Sequence, residues 1–220
     1  MFVLAFDVER SGPCETHDTI AIGASVLDSD FQEHASLLLE GYIPGETNFD
    51  PECWEEFWTN HLDVLENIKY TGDKHKGDRE KEMIEAFHAF RQLWEKRAAE
   101  SGKELVLASD NPVFDGGSIN SLMAKYLPEG TRPIPYTATT PQTYEHLVSV
   151  DDVRNGMFMH YEMEKKMVGT LYDIPPKAKL HTHTPDCDAY SIAHDLLVAY
   201  GINNNSIKLR KCPHSAMTKA

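Results

Sequence analysis

The stretch FVLAFDVE, residues 2–9, sets five apolar residues ahead of two acids that flank a valine. It is rich in β-formers and is followed at once by Ser11, Gly12 and Pro13, so it reads as a first strand. The apolar run is too short for a signal peptide or a membrane span. In a strand, residues i and i+2 share a face, so the carboxylates of Asp7 and Glu9 point the same way. Two like charges that close, at the edge of an apolar strand, repel and lose hydration unless a cation sits between them. Taken alone, a D-x-E is more simply an ordinary strand exit with solvated acids.

Working outward, TIAIGASVLD (19–28) and FQEHASLLLEGYI (31–43) read as two more strands, with Ser29-Asp30 as a tight hairpin turn. Asp50 and Pro51 then suit the N-cap and first position of a helix over PECWEEFWTNHLDVLENI (51–68). After a charged loop at 70–78, REKEMIEAFHAFRQLWEKRAAE (79–100) is amphipathic, with Met83, Phe87, Phe90 and Trp94 at helical spacing, which points to core packing. ELVLASD (104–110) reads as a buried strand, and SINSLMAKYL (118–127) as a helix after a Gly116-Gly117 turn. Residues 128–178 are irregular and interrupted by prolines, with RPIPYTA (132–138) a candidate strand. DAYSIAHDLLVAYG (188–201) is a last helix with Gly201 where a C-cap belongs. Without repeats, this order predicts one domain over 1–220, with a helical insertion at about 50–100 and a basic tail at about 206–220.

Hydrophobic content of 41% and charged content of 25% in 220 residues are those of a globular chain. The four cysteines, Cys14, Cys53, Cys187 and Cys212, form no CxxC pair. That favours a reducing, intracellular and most simply cytoplasmic setting over a disulfide framework. No run of apolar residues reaches membrane-spanning length, so no membrane partner is expected. Net charge is −14, from 35 acids against 21 bases, which by itself opposes a polyanionic partner. Bound divalent cations can supply the missing positive charge where phosphate sits. Binding to nucleic acid is then expected to be weak, metal-dependent and non-processive.

Two further constellations carry chemistry. ASDNPVFDGGSIN (108–120) runs from strand to turn to helix and brings Asp115 to a helix start, where a carboxylate is favoured by the dipole and also serves as a plain N-cap. Asp110, at the preceding strand end, competes with it as a metal-facing acid. HTHTPDCDAYSIA (181–193) places His183 five residues before Asp188. An imidazole on a loop beside an acid on a rigid helix suits a general base next to a metal ligand; a polar loop with an N-cap is the plainer reading.

Together these segments resemble the DEDD exonuclease superfamily, in its histidine subclass (DEDDh). FDVERSG (6–12) is similar to its first motif, FDxETTG; NPVFD (111–115) to its second, Nx2FD; and HTPDCDA (183–189) to its third, Hx4DA. CWEEFWTNH (53–61) and the close Asp186-Cys187-Asp188 spacing also look like phage-type stand-alone exonucleases. Arg10-Ser11 departs from the usual threonine pair, and Asp110 from the histidine often found before the second motif. The likeness implies a ribonuclease H-like α/β fold, a mixed five-stranded sheet flanked by helices on both faces. It implies two Mg²⁺ or Mn²⁺ ions, about 4 Å apart, held by Asp7, Glu9, Asp115 and Asp188, with Asp7 bridging. Glu9 and Asp188 would complete the ion that holds the attacking water, and Asp115 would act mostly through water. His183 is then the base, and Asn111 and Phe114 meet the substrate end. The implied activity is 3′–5′ hydrolysis of single-stranded DNA or RNA from its 3′ end to nucleoside 5′-monophosphates.

Alternatives stay open. His181 precedes Asp186 by the same interval, which would shift the register by two residues. His181, His183 and Cys187 are a zinc-site candidate without an evident fourth ligand, which would suit an interaction module. Trp54 and Trp58 read as core, or as a platform for unpaired bases. Lys74, His75, Lys76 and Arg79 form a basic cluster that is either a solvated loop or a phosphate contact. The main rival function is a catalytically weak nucleic-acid-binding or polymerase-associated subunit that keeps the exonuclease fold.

Overall fold

An apolar run such as Phe2 to Phe6 has to be covered on both sides. In the computed structural model this segment is β1 (Phe2–Arg10), followed in chain order by β2 (Thr19–Asp28), β3 (Glu33–Glu40), β4 (Leu105–Ser109) and β5 (Leu147–Ser149). The helices are α1 (Pro51–Glu56), α2 (Leu62–Asn67), α3 (Lys76–Ser101), α4 (Pro112–Tyr126) and α5 (Pro185–Asn203). The structure describes residues 1–13, 17–43, 45, 48–135, 147–149, 174–179 and 182–203, without the side chains of 147–149 and 202–203. The basic tail, His181, Cys14, Cys212 and most of 136–173 lie outside the described residues.

The strands form one five-stranded mixed sheet in the order β3-β2-β1-β4-β5. β1 is antiparallel to β2 and β2 to β3, whereas β4 runs parallel to β1 and β5 to β4. This is the expected α/β architecture, with helices on both faces of the sheet.

Alternation along β1 divides the core. Phe2, Leu4, Phe6 and Val8 pack with Met83, Phe87 and Trp94 of α3 and with Ile119, Leu122 and Met123 of α4. Val3 and Ala5 face the other way, onto Ala189, Ile192, Ala193 and Leu196 of α5. A third cluster joins Ile20 and Ala21 to Phe49, Trp58, Val64, Leu65 and Ile68 from the segment around α1 and α2.

Several boundaries depart from the sequence reading, each for a local reason. The helix expected over 51–68 breaks into α1, a 3-10 turn at Trp58–Asn60, and α2. Thr59 Oγ1 and Asn60 Nδ2 donate back to the carbonyls of Glu55 and Glu56, competing with continued helix. The break turns Trp58 into the core, at 1% exposure, where its Nε1 donates to the Arg10 carbonyl at 3.1 Å. Trp54 is not on a shared helical face with it, but packs on Phe49 with centroids 4.8 Å apart. α4 begins six residues earlier than the Gly-Gly pair suggests, because Asn111 caps it and Pro112 takes its first position. α5 runs through Gly201, which is buried inside the helix and is not its cap. Residues 132–135 join no ladder: buried Arg91 donates to the carbonyls of Arg132 and Pro133, and Asn120 bonds both backbone groups of Ile134.

Candidate active site

On β1 the residues facing α5 are Val3, Ala5, Asp7 and Glu9 in turn, so apolar contact gives way to acid at the strand's carboxyl end. On β4, Val106 and Ala108 face the same way. Its register sets Ala5 beside Ala108, and Asp110, one residue past the end of β4, brings a carboxylate oxygen within 4.8 Å of those of Asp7 and Asp115. The carboxyl ends of adjacent parallel strands are where open α/β sheets hold ligands.

α5 reaches this point because β2 has a glycine opposite Asp7. A Cβ on Gly23 would lie 2.0 Å from the carbonyl carbon of Pro185 and 2.2 Å from the amide nitrogen of Asp186. The first turn of α5 therefore lies directly on β2, and Asp188, 1% exposed, turns inward. Asp188 Oδ1 accepts the Thr182 amide at 2.8 Å, tying the loop that carries His183 to the helix. Asp186 points elsewhere, accepting from Ser36 Oγ at 3.4 Å and lying 4.0 Å from Lys179 Nζ. A Gly23→Val variant is expected to lose about 1–3 kcal/mol or more in urea unfolding, since backbone and not a yielding side chain fills the space. Its activity should fall further than that of an equally destabilised variant remote from α5.

From the other face, α4 contributes Asp115, 1% exposed, which accepts a short hydrogen bond from Ser109 Oγ. Asn111 Oδ1 accepts from the Phe114 amide at 3.3 Å, and the Arg10 guanidinium lies 5.3 Å over the Phe114 ring.

These side chains meet. A cavity of about 260 Å³ is lined by Asp7, Glu9, Asp110, Asn111, Phe114, Asp115, His183 and Asp188, with Phe57 at its wall. A neighbouring cavity of about 430 Å³ shares Glu9, Phe57 and Phe114 with it. Burial holds the Asp7 carboxyl well above the usual carboxylate range, and Asp115, Asp110 and Asp188 push it the same way. Burial also raises Glu9, aided by Asp7, Asp188 and Asp110. Asp115 is raised by burial against the opposing hydrogen bond from Ser109, and by the charge of Asp110.

Ligand atoms of Glu9, His183 and Asp188 lie within 4.8 Å of one another, as do those of Asp7, Asp110 and Asp115. Carboxylates forced together with their charge unbalanced fit a cation, and oxygen donors with one imidazole suit hard divalent ions. Asp110, weighed in the sequence as a competitor of Asp115, thus stands together with Asp7 and Asp115 and does not replace Asp115. Phe57, Ser109 and Gly23 have no local signal, because each matters through a residue distant in sequence.

The basic cluster at 74–79 is engaged within the protein. Lys74 and Arg79 pair with Glu82 at 2.7 and 2.8 Å, and Lys76 pairs with Asp18. Cys53 and Cys187 are free, and among the described residues no helix is long and apolar enough to cross a membrane.

No family model matches the sequence, and no curated protein matches it. Solved structures do. The chain is similar to exonuclease I with a TM-score of 0.56 at 12% identity, over 91% of this chain and 41% of that one. It therefore spans about two fifths of the length of that protein. It is also similar to a full-length 3′-exonuclease, with a TM-score of 0.51 at 10% identity, over 94% of this chain and 84% of the other. The chain has the fold shared by these exonucleases.

Proposed function

We propose that the chain is a metal-dependent 3′–5′ exonuclease that shortens single-stranded nucleic acid and releases nucleoside 5′-monophosphates. The observation that carries this reading is the convergence of carboxylates from β1, α4 and α5, with one loop imidazole, on a single cavity. Two divalent cations, Mg²⁺ or Mn²⁺, supply when bound the positive charge that draws a phosphodiester in and offsets the charge developing on its cleavage. Glu9 and Asp188, beside His183, would hold one, and Asp7 and Asp115, joined by Asp110, would hold the other.

His183 accepts the proton of the attacking water as its oxygen bonds to phosphorus. The bond from phosphorus to the 3′ oxygen of the preceding nucleotide breaks, and that oxygen takes up a proton to become the new 3′-hydroxyl. Phe57 and Phe114, shared by both cavities, offer ring surfaces for the terminal base, which favours an unpaired end. With −14 net charge and the 74–79 cations already paired, affinity rests on the bound cations more than on surface bases.

The test is digestion of matched 5′-labelled DNA and RNA strands with Mn²⁺. The expected result is a ladder shortening from the 3′ end with mononucleotide release, abolished by chelation. Internal cuts, shortening from the 5′ end, or intact strands with tight binding would overturn it, the last in favour of a binding subunit.

A further inference from the structure

His183 adopts φ 59, in the left-handed region that residues with a Cβ occupy uncommonly, histidine more readily than most. Two rings from the turn between α1 and α2 surround it. The Phe57 centroid lies 4.8 Å from that of His183, at 88°, and the His61 centroid 4.5 Å away, at 75°. Phe57 and His61 stack on each other at 4.4 Å and 24°. His61 Nδ1 is 2.8 Å from the Phe57 carbonyl oxygen, so this nitrogen donates and the ring is fixed against its neighbour.

The turn itself is anchored beside the acids. Trp58, next to Phe57, donates to the carbonyl of Arg10, one residue beyond Glu9. Val64 and Leu65 of α2 pack on Ile20 and Ala21 of β2. The His183 ring is therefore bracketed by a segment fixed to the strand end that carries its partners.

We propose that His61, with Phe57, is a positioning residue that holds the His183 ring against Glu9 and Asp188. This rests on reading His183 as the base. A loop imidazole free to change rotamer spends much of its time out of reach of the attacking water, and reacting groups misplaced by about 1 Å cost on the order of 100-fold in rate. His61 lines neither cavity, so its effect falls on turnover and not on substrate binding. Phe57 lines both, and replacing it would mix the two.

The experiment compares wild type, His61→Ala and His61→Phe in the full chain with Mn²⁺ and a 5′-labelled oligonucleotide. His61→Ala should lower kcat by about tenfold or more with KM within about twofold. His61→Phe keeps a ring against His183 but can neither give nor take a proton nor bond the Phe57 carbonyl, and should recover part of the loss. NMR relaxation of the His183 Cε1–H group, without substrate, should show a mobile ring in His61→Ala and a rigid one in wild type and His61→Phe. Unchanged kcat in His61→Ala, no recovery in His61→Phe, or equal ring mobility in all three would overturn the proposal. If wild type releases no nucleotide, the proposed function falls while the ring-mobility comparison still decides the cradle. Thermal melts confirm that each variant is folded, and His61→Leu replaces His61→Ala should the latter unfold.

Discussion

Asp7→Ala is expected to lower nucleotide release by about three decades or more, some 4 kcal/mol of transition-state stabilisation, while the metal-free protein melts at the same temperature as wild type or higher. The two effects have one origin. Asp7 sits among Asp110, Asp115 and Asp188, and burial and their charges make its ionised form costly. Removing it relieves that cost in the empty protein and would remove a metal ligand from the loaded one. A merely structural Asp7 would behave the opposite way, losing stability with little specific loss of rate. Wild-type turnover in this variant would end the assignment of the site.

Metal and pH should be coupled in stability with a defined sign. Asp7, Glu9 and Asp115 have folded-state values raised above their ordinary ones, first by burial and then by neighbouring carboxylates. Between the ordinary and the raised values the folded chain holds more protons than the unfolded one, so stability falls as pH rises. The window opens near the ordinary carboxylate values of 3.8 and 4.5 and extends up through the raised ones. Metal-free protein should therefore melt progressively lower on going from pH 5 to pH 8.

Mn²⁺ is expected to bind the ionised set, so its stabilisation should grow over the same interval. At 100 times its dissociation constant it contributes about 2.7 kcal/mol, or roughly 5–10 °C in Tm for a chain of this size. Differential scanning fluorimetry at the two pH values, with and without Mn²⁺, measures this directly. A melt independent of pH without metal, or an equal Mn²⁺ shift at both, would show that the carboxylates are not forced together.

Strands β1 to β4 are legible within a few residues because each is an apolar run bounded by turn formers, and β1 carries the alternation that aims Asp7 and Glu9 at one face. Helix ends are less legible. The Gly116-Gly117 pair costs helix propensity, yet the Asn111 cap, Pro112 and the packing of Ile119, Leu122 and Met123 outweigh it. The break at Phe57 needs Thr59 and Asn60 bonding backwards and Trp58 finding the Arg10 carbonyl, and only the first of these is local.

By itself the sequence determined which residue types stand at each strand and helix end: acids on one face of β1, an acid opening α4, and a histidine five residues before an acid in the first turn of α5. Those are local facts of period and capping, and a linear pattern is enough to encode them. Tertiary structure alone decided that Asp110 stands with Asp7 and Asp115, that α5 lies against β2 at Gly23, and that Phe57 and His61 bracket His183. Each depends on strand register or on close approach between segments remote in the chain, and such contacts are set by packing of the whole core and not by the residues on either side.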